Sequence, residues 1–326
     1  MEGEKGMVCV TGGTEYTGSW LIMRLLDHGY SVRTIVKSNP EHKKDLSFLT
    51  SLPGATERLK IFDADLSNPE SLKAAIEGCI GVFLVATPID IGNQETEEVV
   101  IKRSIDGAIG IVQACLDSKT VKKVMYTSSS AAVLFNGKGL DEMDETFWTD
   151  IDYVKSLKSN AASYLISKTL TEKAVLEFSE KHGLEVATLV LCFISGPFIL
   201  PEVPRSVQSV FEMVFGDKSK PNSLTRLDLV HVDDVARALI FLFENPEAKG
   251  RYNCSADTIS VESTAKLFST KYSELRLPSK SSLVKMEVNW PSLSTKKLLD
   301  SGFQFKYGVE EIFNDAIECC KEKGYL

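Results

Sequence analysis

The sequence predicts an α/β fold, a doubly wound parallel sheet with a smaller C-terminal lobe. Three observations carry this. Short apolar runs alternate with helical patterns through roughly the first 195 residues. Some of those runs, such as GVFLVA, are apolar throughout, as strands become when helices cover both faces of a sheet. A glycine-rich stretch, CVTGGTEYTGSW at 9–20, joins the first apolar run to the first helical pattern.

MVCVT (7–11) reads as the first strand, YTGSWLIMRLLDHG as its helix, and SVRTIV (31–36) as the second strand, followed by a stretch that Pro40 initiates. LKIFDAD (59–65) is the third strand, with NPESLKAAIEG as its helix. GVFLVAT (81–87) is the fourth, leading through ETEEVVIKRSIDGAIGIVQACLDSK to a fifth, KKVMYTSSS (122–130). A long helical stretch, AASYLISKTLTEKAVLEFSEKHG, ends on Gly183 as a C-cap and leads to a sixth parallel strand, EVATLVLCF (185–193). From about residue 195 the pattern turns to proline-rich loops (SGPFILPEVPRS), shorter helices and a last helix, GVEEIFNDAIECCKEKG. That part is expected to cover the carboxyl ends of the strands, where open α/β sheets bind ligands.

The chain of 326 residues can bury a large core. Hydrophobic residues at 43% and charged residues at 25% exclude disordered and fibrous classes. A net charge of −8 argues against a nucleic-acid or anionic-membrane surface. The N-terminus lacks a basic head, apolar core and cleavage site, and no apolar window approaches membrane-spanning length, so the expected location is the cytosol. Seven cysteines, at 9, 79, 115, 192, 254, 319 and 320, show neither CxxC nor His-partnered spacing. Their odd number predicts reduced, buried thiols and no structural zinc.

A strand, a glycine turn and a helix N-terminus together present free backbone N–H groups and the positive end of the helix dipole to an anion. Thr11, Gly12, position 15 and Gly18 follow TGxxGxxG spacing, with Gly13 a further glycine in the turn, and point to a dinucleotide pyrophosphate. Glu15 stands at the centre of the turn. A carboxylate ~5 Å from a phosphate oxygen costs about 1–3 kcal/mol, which weakens binding roughly tenfold to hundredfold. Two readings stay open: Glu15 turns into solvent, or the chain binds dinucleotide poorly and does chemistry that needs no hydride. Beyond the second strand, Lys37, Lys43 and Lys44 suit a 2′-phosphate, favouring NADP over NAD. Asp65 and Leu66 are placed to flank the adenine, and Val85, Ala86 and Thr87 to lie along the cofactor. Residues 1–195 are thus expected to form the dinucleotide-binding domain. Residues 196–326 form mainly a substrate lobe, some segments of which return to the core.

SYLISK places Tyr164 and Lys168 four apart, one helical turn from each other. An ammonium beside a phenol favours the phenolate and lowers its pKa from ~10, so Tyr164 can exchange a proton with a carbonyl or carbinol oxygen. A hydroxyl from a strand end should complete the group, and TSSS offers Ser128, Ser129 and Ser130. His231, Asp233 and Asp234 in LVHVDDVARA are read as helix capping by an aspartate rather than as a metal site. Cys192 either packs or touches substrate. Phe193, Phe198, Phe211 and Phe215 line an aromatic pocket or form core. Lys122 and Lys123 read as solvated.

VCVTGG, SWLIMRLL, GYSVRT, VKKVMYTSS, YLISK, LVHVDDVARA and GFQFKY resemble, from end to end, the plant dihydroflavonol 4-reductase and vestitone reductase family of extended short-chain dehydrogenases/reductases. GVFLVA, KKVMYTSS and GFQFKY are also similar to noscapine synthase, an alkaloid-oxidising relative. The resemblance implies a Rossmann-like fold, NADP(H), a small aromatic metabolite as substrate and a monomer. It also implies a Ser129, Tyr164, Lys168 triad in which Ser129 holds the substrate oxygen, Tyr164 donates the proton and Lys168 binds the nicotinamide ribose. The chain departs from the family at Glu15, at Lys37 in place of an arginine, and at Cys192 and Phe193, where a proline-led turn meets the nicotinamide. The leading expectation is an NADP(H)-dependent oxidoreductase acting on a ketone or carbinol of a flavonoid-like or alkaloid-like substrate. The alternatives are a non-redox cyclase, dehydratase or isomerase using Tyr164 and Lys168 as acid and base, and a metabolite-binding protein without catalysis.

Overall fold

A computed structural model describes residues 5–36, 45–65, 68–86, 96–215, 226–272 and 290–326. Strands β1 (Met7–Thr11), β2 (Ser31–Val36), β3 (Leu59–Asp63), β4 (Gly81–Leu84) and β5 (Lys123–Ser129) alternate with helices α1 (Tyr16–Asp27), α2 (Ser47–Thr50), α3 (Ala55–Arg58), α4 (Pro69–Ile76) and α5 (Glu97–Ser118). Then come β6 (Glu142–Met143), α6 (Ile151–Ser156), α7 (Ala162–His182), β7 (Glu185–Leu191), β8 (Phe193–Ser195) and α8 (Arg205–Phe215). The chain continues through β9 (Arg226–His231), α9 (Val232–Glu244), β10 (Gly250–Cys254), β11 (Asp257–Ser260) and α10 (Val261–Lys271). It closes with β12 (Ser292–Leu293), α11 (Lys296–Asp300) and α12 (Val309–Glu322).

Among the described residues, seven parallel strands form the main sheet in the order β10-β7-β5-β4-β1-β2-β3. The order reverses between β1 and β4, which opens the crevice in which such sheets hold ligands. Strand alternation explains the apolar runs. Val8, Val10, Phe83 and Met125 pack with Leu21, Ile22 and Leu25 of α1 and Leu239 of α9. Their neighbours Cys9, Val82, Leu84, Val124 and Tyr126 face Leu72, Ile111, Cys115 and Val175 of α4, α5 and α7. Leu21, Ile22 and Leu25 are 0% exposed, and such side chains contribute about 1.5–3 kcal/mol each.

Several elements depart from the sequence reading. β3, β4 and β5 stop short of 65, 87 and 130, leaving their carboxyl ends as loops at the crevice. The sixth strand ends at Leu191, and the chain crosses through Cys192 into β8, which pairs with β9 in a second, three-stranded sheet, β11-β9-β8. The main sheet gains a seventh strand from the C-terminal part: β10 pairs with β7 from Gly250–Ala187 to Cys254–Leu191. Its sequence, GRYNC, has no apolar run to announce it. Lys123 is buried inside β5, not solvated like the exposed Lys122, and its ammonium donates to the carbonyls of Leu242 and Asn245 at 2.9 and 2.5 Å. Gly183 caps α7 in the left-handed conformation, at φ 70°. All seven cysteines are free and buried.

Candidate active site

The glycine turn closes the crevice at the carboxyl end of β1. Gly12 sits at φ +74°, and a Cβ there would lie 2.6 Å from the Ala86 Cβ. A Cβ on Gly13 would lie 2.2 Å from the Thr34 hydroxyl, and one on Gly18 would lie 2.1 Å from the Gly12 carbonyl oxygen. The three glycines therefore let α1 start directly against the turn, its N-terminal N–H groups at the crevice. Glu15 is the N-cap residue of α1, at φ −98° and ψ 163°. Any L-residue adopts that conformation, so its side chain strains nothing, and it is exposed. The turn thus keeps the shape that fits a pyrophosphate, and what Glu15 adds is charge.

Thr11 is fully buried, and its hydroxyl accepts from the N–H groups of Val85 and Ala86 at 3.0 and 3.1 Å. From the other side the Thr127 hydroxyl donates to the Val85 carbonyl at 2.9 Å. Two threonines thus fasten Val85 and Ala86 across the mouth of the crevice; Thr11 shapes the site from beneath. Asp65 ends the third strand region, its backbone held by Ser71 through bonds of 3.1 and 3.0 Å. Lys37, Lys43, Lys44, Leu66 and Thr87 lie outside the described residues.

The three serines after Thr127 go three ways. Ser128 is buried and donates to Glu172 at 2.6 Å. Ser129, the last residue of β5, accepts from the Ala131 N–H at 3.2 Å and from the Tyr164 hydroxyl at 3.4 Å. Ser130 lines a small cavity together with Leu134, Cys192, Phe193, Asp228 and Trp290. Strand register sets Ser129 beside Leu191 at the carboxyl edge, and α7 carries Tyr164 and Lys168 on successive turns.

The electrostatics differ from expectation. Burial brings the Lys168 ammonium down to about 8, while Glu172 holds it up in part. Burial also pushes the Tyr164 phenol above its ordinary value, partly offset by the hydrogen bond to Ser129. The phenol is raised, not lowered, because desolvation of the anion outweighs the hydrogen bond with Ser129. At neutral pH it is a protonated donor.

Glu172, Arg251 and Thr127 are the residues around this site that the sequence reading missed. Glu172 is fully buried and pairs with the Arg251 guanidinium, Nε to Oε1 at 3.0 Å. Its signal was its spacing, one further turn along the YLISK helix.

The remaining candidates have structural duties. His231 caps α9, its Nδ1 accepting from the Asp233 N–H at 3.0 Å, so the cap is the histidine and not an aspartate. The carboxylates are engaged elsewhere. Asp233 accepts from Trp20 at 2.9 Å and Arg24 at 2.8 Å, and Asp234 from the Lys306 and Tyr307 N–H groups at 3.0 and 3.1 Å. Among the described residues no group of three or more His, Cys, Asp or Glu is arranged to hold a metal, and no helix is long and apolar enough to cross a membrane. Phe198, Phe211 and Phe215 pack in the core of the second lobe, whereas Phe193 lines the cavity. The Cys192 thiol donates to the Cys254 carbonyl at 3.3 Å while one flank faces the same cavity.

The fold recurs in known proteins. The chain is 53% identical over 323 residues to vestitone reductase from Medicago sativa, covering 99% of each chain. It is 48% identical over 333 residues to noscapine synthase from Papaver somniferum, covering 100% of this chain and 95% of that one. The crystal structure of vestitone reductase from alfalfa superposes with a TM-score of 0.87 at 50% identity, over 99% of this chain and 100% of that one. With residues 8–255 matching the family model as well, the chain belongs to the NAD dependent epimerase/dehydratase family.

Proposed function

We propose that this protein is an NADP(H)-dependent oxidoreductase acting on a ketone or carbinol of a polycyclic aromatic metabolite, flavonoid-like or alkaloid-like. One observation carries the reading: at the carboxyl edge of the sheet the Tyr164 hydroxyl donates to Ser129 at 3.4 Å, with Lys168 one turn further along α7. The relatives named for a reductase and a synthase support it. Residues 196–326 serve mainly as the substrate lobe, with α9 and β10 returning to the core.

Gly12, Gly13 and Gly18 would hold the pyrophosphate, with Thr11 supporting the turn. Asp65 and Leu66 would meet the adenine, Lys37 and Lys44 the 2′-phosphate, Val85, Ala86 and Thr87 the middle of the cofactor, and Lys168 the nicotinamide ribose. The bound cofactor supplies a hydride to the carbonyl carbon. The chain does the rest. Ser129, whose oxygen accepts from Ala131 N–H and Tyr164, has its own proton free to hold the substrate oxygen. Tyr164 gives its proton to that oxygen, and the Lys168 ammonium stabilises the phenolate left behind. A raised phenol pKa suits the reductive direction, in which tyrosine starts protonated. Phe193, Leu134 and Trp290 give the small cavity beside Ser130 apolar walls.

Purified protein is expected to shift NADPH fluorescence at micromolar concentration and to consume NADPH with an aromatic ketone. Absence of binding at millimolar NADPH contradicts the proposal and leaves the acid–base reading.

Glu15 gives a second expected outcome. Glu15→Gln and Glu15→Gly both tighten NADPH binding, by about three- to tenfold for an exposed, screened charge. The two gains are equal, because φ −98° gives glycine no advantage. Titration by fluorescence decides: a gain confined to glycine shows the Cβ to be the obstacle instead.

A further inference from the structure

Glu172 places a carboxylate where no solvent reaches it, and nothing in the proposed reaction uses it. Burying a charge is costly unless every lone pair is met, and a well-packed apolar pair often serves stability as well or better. Here the lone pairs are met by four donors from three strands. Thr188 Oγ1 and Arg251 Nε bind Oε1 at 2.7 and 3.0 Å. Ser128 Oγ and Arg251 Nη2 bind Oε2 at 2.6 and 3.2 Å. Both carboxylate oxygens are therefore fixed. Arg251 is fixed in turn: Nη1 donates to the carbonyls of Glu145 and Phe147 at 2.9 and 2.7 Å, and its guanidinium lies 3.6 Å from the Trp148 ring centroid. The clamp adjoins the triad at two points. Ser128 precedes Ser129 in β5, and Glu172 follows Lys168 by one turn of α7.

We propose that Glu172 is a positioning residue of the active site: held by Ser128, Thr188 and Arg251, it fixes the end of β5 against α7 and supplies the negative charge that keeps Lys168 an ammonium. The proposal rests on the oxidoreductase reading for its kinetic arm only.

Tyr164, the other titratable group on this stripe of α7, is neutral at neutral pH. Arg251 on β10 is engaged by Glu172 itself. Lys123 of β5 and Glu185 of β7 sit at the opposite strand ends from Ser129 and Leu191. Lys102 and Asp106 of α5 pair with each other in solvent, and Asp152 and Lys155 of α6 are exposed. Among the described residues, the charge of Glu172 opposes the burial that brings the Lys168 ammonium down to about 8.

Two variants and two readouts test this. Glu172→Gln removes the charge but leaves Arg251 unpaired, so Glu172→Gln combined with Arg251→Gln, which removes both charges, guards against a variant that does not fold. In NMR titrations of the lysine side-chain nitrogens, without substrate, Lys168 is expected to lose its proton near pH 8 in the wild type and about one unit lower in either variant. In kinetics, kcat of the variants falls about fivefold further at pH 8 than the wild type, but less than about twofold at pH 6.5. A Lys168 midpoint that stays in place in both variants, or a loss of kcat equal at both pH values, overturns the role of Glu172. A wild type that binds no NADPH overturns the oxidoreductase reading instead, and the titration still judges Glu172.

Discussion

Tyr164→Phe is expected to lower kcat for ketone reduction by about 10²–10⁴-fold while leaving NADPH affinity unchanged. The hydroxyl reaches Ser129 and, in the proposed reaction, gives its proton to the substrate oxygen, and burial keeps the phenol protonated at neutral pH. Its 3.4 Å bond to Ser129 is at the long limit, so removal costs only about 0.5–1 kcal/mol of stability. Single-turnover kinetics beside a thermal melt separate the two effects. Unchanged turnover removes Tyr164 from the reaction.

Gly18→Ala is expected to abolish tight NADPH binding and to cost about 1–3 kcal/mol of stability. Its Cβ would stand 2.1 Å from the Gly12 carbonyl oxygen and 2.8 Å from the carbonyl carbon, and backbone cannot rotate aside as a side-chain tip can. Either α1 withdraws from the turn or Gly12 moves, and both disrupt the N–H groups facing the pyrophosphate. Gly29→Ala is the control. It sits at φ +85° with nothing within 4 Å of a new Cβ, so it costs stability through backbone strain alone and leaves NADPH binding intact. Equal loss of affinity in both variants would show general destabilisation rather than a damaged cradle.

Much of the fold was legible because the doubly covered sheet writes itself as uninterrupted apolar runs. Val82, Phe83 and Leu84 are all fully buried, on alternate faces. β10 was illegible for a physical reason: Arg251 and Asn253 are buried in it, and only their partners, Glu172 for the first and the carbonyls of Met143 and Ser294 for the second, make that tolerable. Lys123 misled in the same way, since two carbonyls at the end of α9 receive a charge that composition assigns to solvent. Within the site, spacing found Tyr164 and Lys168, but could not choose among three adjacent serines. Tertiary packing made the choice by directing Ser128 to Glu172 and Ser129 to Tyr164. The direction of the phenol shift also lay beyond a one-dimensional reading. Helical spacing reports the neighbouring ammonium, whereas the burial that raises the phenol exists only in the folded chain.

In the proposed reaction Ser129, Tyr164 and Lys168 serve reduction of a carbonyl rather than acid–base chemistry alone. Incubating the protein with an aromatic ketone and NADPH carrying deuterium at both C4 positions of the nicotinamide tests this. Hydride transfer places one deuterium on the former carbonyl carbon of the product, in a single stereochemical configuration. A product formed without deuterium on that carbon, or formed equally well without NADPH, contradicts it.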